Sequence, residues 1–434
     1  MLWRLAFCKA STYLCPKGPR PTRKTDTMAQ WLDMILQDRV NPDTFHRDFP
    51  WAEDMIGCPH DAVYHAEGDP WVHTLMVTAA LRDSQAYSDM DDDRRAVLRL
   101  AAWFHDVAKP ATTEVFFDED LDRERVSQPG HAPLGASMAY QALIDAGAEV
   151  EMAREVHALV FWHQRPFHLI KENSFQQRVI RYSQDAGRGN WHELLTLCRA
   201  DNLGRIAAGA QQTLEELDLL ELAIEEVGEN IGCDLVREPW PFESDEARVK
   251  YLRGPNDGSA FYMPADRERG RMTLMSGLPG AGKDMLIDAR FPDTPVVSLD
   301  DIRGQMDVGW KDNQGQVLQT GFEAARVHMR AGQDFVWNAT GITRQQRQKI
   351  IGLARDYDFA IDGISIDIPL QVARDRNRGR SRQVPDQVMQ KLGRKRDPLL
   401  RDEVHRLWSV DEHGRLEQLF GSEIQSPECL PENA

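Results

Sequence analysis

The sequence predicts two domains, an all-α domain over residues 28–230 and an α/β domain with a parallel sheet over 270–406. Three observations carry this. Apolar residues recur at helical spacing through the first region, as in Leu75, Met76, Ala79, Ala80 and in Val97, Leu98, Ala101, Ala102, Phe104. From 271 short apolar runs alternate with helical, Arg-rich segments: Met272–Met275, Val296–Leu299, Phe335–Trp337 and Ile361–Ile368. Between the two, residues 231–269 dissolve into Pro239, Pro241, Gly254, Pro255, Gly258 and Pro264, which reads as a linker with a docking helix of its own at Asp245–Leu252.

Length and composition agree with this division. At 434 residues the chain is too long for one ordinary core, and 41% hydrophobic with 28% charged residues is a globular composition. The 52 Lys and Arg against 69 Asp and Glu leave a formal charge of −17, which excludes a uniformly basic nucleic-acid coat. No run approaches the ~20 apolar residues of a membrane span. Six cysteines at 8, 15, 58, 198, 233 and 429 form no CxxC pair, a scatter that fits reduced thiols and a cytoplasmic location. Residues 1–27 hold six basic residues and one acid, Asp26; a disordered extension is expected there in preference to an organelle presequence. Residues 407–434 read as a short acidic tail.

In the α/β domain the first strand runs into Gly277-Leu278-Pro279-Gly280-Ala281-Gly282-Lys283-Asp284 and then an apolar helix. Gly277, Gly280 and Gly282 let the backbone wrap its N–H groups around phosphate, and Lys283 supplies a mobile cation for the β- and γ-phosphates. This is a P-loop for ATP or another nucleoside triphosphate with Mg²⁺. One position departs from the pattern: Asp284 stands where a Ser or Thr would meet the metal. The second strand ends in Asp300-Asp301-Ile302-Arg303, at the carboxyl edge where parallel sheets bind ligands. One carboxylate there suits a general base and the other a helix cap, and Arg303 suits a phosphate. Residues 371–406 hold nine Arg and two Lys against five acids, reversing the sign of the chain. That favours a phosphate-gripping lid over a plain solvated face.

In the α domain His73, His105-Asp106 and Asp201 are separated by apolar helices, with Lys109 four residues after His105. Imidazoles and carboxylates on a helical scaffold suit a divalent metal, with Mg²⁺, Mn²⁺, Ni²⁺ and Co²⁺ all compatible. His105 and Asp106 can share an ion only from a helix edge facing a cleft. His131 and His163 read as ligands of a second metal or as substrate contacts. His65 and Glu67 divide evenly between site and scaffold, and His157 reads as structural.

Two resemblances extend this reading. The Gly277–Lys283 loop, the Asp300–Arg303 turn, Asn338-Ala339-Thr340 and the arginines before Val384-Pro385 look like the 5′-hydroxyl polynucleotide kinase family, over roughly 270–400. That likeness implies Lys283 on the transferred phosphate, Asp300 as general base, Arg303 and Asn338 on the acceptor, and Arg380 with Arg376 as lid cations. The order H…HD…D resembles the HD metal-phosphohydrolases. His65-x-Glu67-Gly68-Asp69 before His73, then His105-Asp106-Val107-Ala108-Lys109, Gly130-His131 and Arg199-Ala200-Asp201 are similar to the HD domain of CCA-adding tRNA nucleotidyltransferases, over about 50–210. The implied ligands are His73, His105, Asp106 and Asp201, with Lys109 on phosphate and with 2′,3′-cyclic, 2′ and 3′ phosphates as substrates. The fusion in this order resembles the bifunctional HD-domain polynucleotide kinases. It implies RNA or DNA ends as partners, a separate ligase downstream and no membrane. Two alternatives stand beside it: a small-molecule phosphohydrolase fused to a metabolite kinase, or to a P-loop module that binds nucleotide without catalysis.

Overall fold

A computed structural model describes residues 28–186, 190–254, 259–262, 268–307, 314–380 and 382–422. The expected extension 1–27 and the end of the expected tail, 423–434, lie outside these residues.

The N-terminal region is a helical domain around one large core, in which Trp31, Phe45, Phe49, Trp103 and Phe104 interlock edge to face. Its site-bearing helices are Pro70–Arg82, Asp92–Phe104, His131–Asp145, Val150–Trp162 and Trp191–Leu203. Local chemistry starts several of them: Asp69 accepts from Val72 N ahead of Pro70, Asp91 from Arg94 N, and Asn190 from Glu193 N. One feature departs from the all-α expectation. Strands β1 (Glu114–Asp118) and β2 (Arg123–Ser127) form an antiparallel hairpin between Lys109 and His131.

The expected linker is built into the fold. Leu235, Val236 and Trp240 join the helical core, and the helix Asp245–Arg253 buries Ala247, Val249, Tyr251 and Leu252, with Ser244 accepting from Ala247 N as its cap.

The C-terminal domain carries β3 (Gly270–Ser276), β4 (Val296–Ser298), β5 (Phe335–Asn338), β6 (Phe359–Ile366), β7 (Arg406–Val410) and β8 (Leu416–Phe420) in one sheet of order β4-β5-β3-β6-β7-β8. The first five are parallel and β8 is antiparallel to β7. β3 lies at the centre, so the loop after it opens where the strand order reverses, the position at which such sheets hold ligands. The acidic tail expected from 407 is corrected here. Leu407, Trp408 and Val410 are buried, and the acids of 411–417 lie in the turn and on the exposed edge strand. Charge at an edge strand is compatible with pairing because one side faces water.

The two domains share a polar interface. Ser137 donates to Asp397 at 2.6 Å, Arg154 to the Leu399 carbonyl at 2.7 Å, and Leu370 N to Asp145 at 2.6 Å. Asp402 receives both Arg181 and Arg344. Among the described residues no helix is long and apolar enough to cross a membrane.

Candidate active sites

The first site forms where the helix Asp92–Phe104 stops. His105 is its C-cap and Asp106 lies in the turn beyond, so the pair does not stand on a helix edge as the sequence reading supposed. Leaving the helix is what allows two adjacent side chains to converge. Asp106 is the hub. Its Oδ2 stands 3.2 Å from His105 Nε2 and 3.7 Å from His73 Nε2, and its Oδ1 stands 3.4 Å from His131 Nε2 and 3.9 Å from His163 Nε2. Asp201 Oδ1 is 2.9 Å from His73 Nε2. Two carboxylate oxygens, each faced by two imidazoles, have the layout of a bridging ligand between two cations.

The outer contacts fix these rings. His73 Nδ1 faces the Gly204 carbonyl (3.1 Å), His105 Nδ1 that of Ala102 (2.8 Å), His131 Nδ1 that of Gln128 (2.8 Å) and His163 Nδ1 that of Val160 (2.7 Å). Nδ1–H donation to a carbonyl leaves an Nε2 lone pair directed inward, the tautomer a metal requires. Glu67 stands 3.0 Å from His73 Nδ1 and 2.7 Å from His65 Nδ1, and so steers His73 from behind.

Burial and charge fit a cation. His105 Nε2, both Asp106 oxygens and Asp201 Oδ2 are buried without a hydrogen bond. Burial alone would raise Asp106, yet His105 and Lys109 hold it well below the usual carboxylate range. Burial, with His105 and His131 nearby, drives His163 down to about 3, which keeps it neutral. Burial opposes charge on His73 as well, but Asp201 and Glu67 lift it to about 9, so a cation bound there would displace the proton on its Nε2. Lys109, itself buried, places its Nζ 2.7 Å from Asp106 Oδ2 and 3.1 Å from His60 Nε2. His157 lies apart, packed between Tyr140 and Phe161. His60 was not singled out by the sequence reading. Its signal, a histidine five residues before His65, has no periodic meaning in a loop.

The second site is the loop after β3. Gly280 (φ +79°) and Gly282 (φ +106°) take left-handed conformations, and a Cβ on Gly280 would sit 2.5 Å from the Ala373 carbonyl oxygen. Gly277 is packed against Ile366 and Ala281. Lys283 opens the helix Lys283–Arg290 and donates to the Gly277 (2.9 Å) and Leu278 (3.2 Å) carbonyls, so its ammonium lies over the loop. Burial lowers it to about 8. Asp284 accepts from Asn338 Nδ2 at 2.7 Å, which ties the position of the missing hydroxyl to the end of β5. Arg380 Nη2 lies 3.9 Å from both Asp284 and Asp300, spanning the cleft between loop and second strand.

Three expectations change. Neither Asp300 nor Asp301 caps its helix, because Ser298 Oγ accepts from Asp301 N and leaves both carboxylates outside the capping bond. Arg303, expected on a phosphate, donates to Asp300 and to Gln314 Oε1 (3.1 Å), so its fork is engaged within the protein. Arg376, expected beside Arg380 as a lid cation, donates to the carbonyls of Ala281 (3.1 Å) and Glu412 (2.8 Å) and so braces the loop. Much of the basic segment is similarly occupied: Arg374 pairs with Asp386, Arg378 with Asp375, Arg396 with Asp367 and Arg406 with Asp362.

Comparisons with known proteins follow the same division. Residues 71–206 match the family profile of the HD domain, and residues 272–399 that of an AAA domain. No curated protein matches the chain. Among solved structures, a Chloroflexus aurantiacus protein described as a kinase is similar at 18% identity, covering 33% of this chain and 86% of its own, with a TM-score of 0.29. A gluconokinase from Sinorhizobium meliloti is similar at 15% identity, covering 33% and 84%, with a TM-score of 0.26. The chain carries an HD domain at its N-terminal end, followed by a P-loop kinase-like α/β domain.

Proposed function

We propose that this chain heals broken nucleic-acid strands. Its HD domain would act as a metal-dependent phosphoesterase on 2′,3′-cyclic, 2′ or 3′ phosphates, and its P-loop domain as an ATP-dependent 5′-hydroxyl kinase. The observation that carries the reading is the pairing of sites. Asp106 presents each of its oxygens to two imidazoles in one domain, while Asp300, Arg380 and Lys283 gather around a phosphate-binding loop in the other.

His73, His105, Asp106 and Asp201 would hold one divalent ion, and Asp106 with His131 and His163 a second. The chemistry such ions would supply there is a hydroxide near neutral pH and a positive field for the phosphate. Lys109 places its ammonium beside Asp106 and orients the incoming phosphate, with His60 beside it. In the second domain Asp300 would take the proton of the attacking hydroxyl and Arg380 would screen the charge of the transferred phosphoryl group. Asn338 would position Asp284, the carboxylate standing at the Mg²⁺ position of the loop.

A second reading, a phosphohydrolase fused to a metabolite kinase, draws on one observation: the arginines at 374, 376 and 378 are occupied, which leaves less cationic surface for a polymer. A third, binding without phosphoryl transfer, draws on Asp284. Both are separated from the proposal by one assay. An RNA with a 2′,3′-cyclic phosphate and a 5′-hydroxyl is incubated with ATP and Mg²⁺, Mn²⁺, Ni²⁺ or Co²⁺. Conversion of both ends supports the proposal. Phosphorylation of nucleosides or sugars but not of the strand favours the second reading. Nucleotide binding without transfer, restored to transfer by Asp284→Ser, favours the third.

A further inference from the structure

We infer that the seam between the two domains holds a phosphate-binding site separate from the metal centre and the phosphate loop. A cavity of about 190 Å³ lies there, walled by Arg165, Arg178, Arg181 and Asp185 of the HD domain and by Arg344 and Leu400 of the P-loop domain. No residue assigned above to either candidate site lines it.

Charge identifies the ligand. Four guanidiniums around one small space repel one another unless anions stand among them. Asp402 takes both Arg181 and Arg344 on one oxygen, so a single carboxylate serves two cations, and its other oxygen is buried without a hydrogen bond. Asp185 lies 3.8 Å from Arg181 Nε, but burial, with Asp402 nearby, pushes its carboxyl up against the pull of Arg181 and weakens it as a counter-ion. Glu172 is 3.3 Å from Arg178 Nε. Arg165 is exposed, and among the described residues its guanidinium takes part in no hydrogen bond or ion pair. The cavity is therefore short of negative charge and rich in planar donors, the combination that pairs bidentately with a tetrahedral phosphate.

Arginines from both domains line this space, so a phosphate bound in it ties the domains together. It also lies beside the chain leading out of both sites. Arg165 comes two residues after His163, and Arg344 opens the helix Arg344–Asp356 soon after Thr340, whose carbonyl accepts from Gly277 N. The phosphate is either internal to a bound strand or free, and both sources share this chemistry.

Calorimetric titration of inorganic phosphate into the full chain, kept metal-free with EDTA, tests the site. Arg165→Ala and Arg178→Ala are each expected to weaken one phosphate site about tenfold, the range of one lost charged contact, while ATP binds the P-loop unchanged. Asp185→Asn, which removes a repelling carboxylate, is expected to tighten the same site at pH 8. An oligonucleotide with hydroxyls at both ends, carrying only internal phosphates, identifies the source. Weaker binding of it by Arg165→Ala assigns the site to the strand backbone, and unchanged binding assigns it to free phosphate. Phosphate affinity equal to that of the unaltered chain in all three variants overturns the inference. So does an equal weakening of ATP in Arg165→Ala, which would place the loss in the phosphate loop. None of these readouts depends on catalysis, so failure of the end-healing reading and failure of this inference are separate outcomes.

Discussion

The Tyr140 hydroxyl, on a helix of the HD domain, donates a 2.8 Å hydrogen bond to Asp367 Oδ1 just past β6 of the P-loop domain. Asp367 also receives Ser365 (2.9 Å), Ser409 (2.8 Å) and Arg396 (2.6 Å), and the Arg396 guanidinium lies over the Tyr140 ring. Four donors on one buried carboxylate make its worth depend on which is removed. Tyr140→Phe leaves three and is expected to cost about 1–2 kcal/mol. Arg396→Met leaves a buried charge without its counter-ion and is expected to cost about 3–5 kcal/mol. Urea unfolding of the two variants checks the order; equal losses would contradict it.

Metal content tests the bridging role of Asp106. The intact chain is expected to hold two divalent ions. His131→Ala and His163→Ala are each expected to reduce this toward one, and Asp106→Asn to abolish tight binding of both. Elemental analysis after dialysis reads the number directly. A single ion unaffected by His131→Ala and His163→Ala would show that only the first group of ligands is used.

The phosphate loop has no room at Gly280. An alanine there meets the Ala373 carbonyl at 2.5 Å in a left-handed conformation. Gly280→Ala is expected to weaken ATP binding more than tenfold while phosphoester cleavage by the HD domain persists. Displacement of a fluorescent nucleotide measures the first and a chromogenic phosphodiester the second.

His157 gives the fold a pH dependence. Burial, with Arg154, Arg347 and Arg344 nearby, drives it down to about 3, against about 6.5 in an unfolded chain. The unfolded state therefore binds the proton first as pH falls. The stability contribution is full above 6.5 and is lost progressively between 6.5 and 3. Replacing His157 by Leu is expected to shrink the stability lost between pH 7 and pH 5 by about 2 kcal/mol. Thermal unfolding at the two pH values measures it, and an unchanged difference would assign the acid sensitivity elsewhere.

Motif spacing made much of both sites legible. The loop of β3 is a contiguous stretch whose glycines have one conformational purpose. His73, His105, Asp106, His131, His163 and Asp201 were separable from other polar residues because apolar helices frame each of them. What the sequence concealed was of a different kind. The hairpin β1–β2 has no core of its own to impose alternation, β1 being largely exposed and β2 half-buried. Strands β7 and β8 were hidden by acids that lie in their turn and on an open edge. The occupation of Arg303 and Arg376 depends on partners chosen by the fold: Gln314 eleven residues on, and carbonyls at 281 and 412. The interface is illegible for the same reason, since Asp145 meets Leu370 across 225 residues.

The central claim, two independent chemistries in one chain, is tested most directly by crossing one substitution from each site on a single RNA with a 2′,3′-cyclic phosphate and a 5′-hydroxyl. Asp106→Asn is expected to leave the cyclic end closed while the 5′ end gains phosphate from ATP. Asp300→Ala is expected to open the cyclic end while the 5′ end stays unmodified. Loss of both reactions in both variants, or of neither in either, would contradict the account.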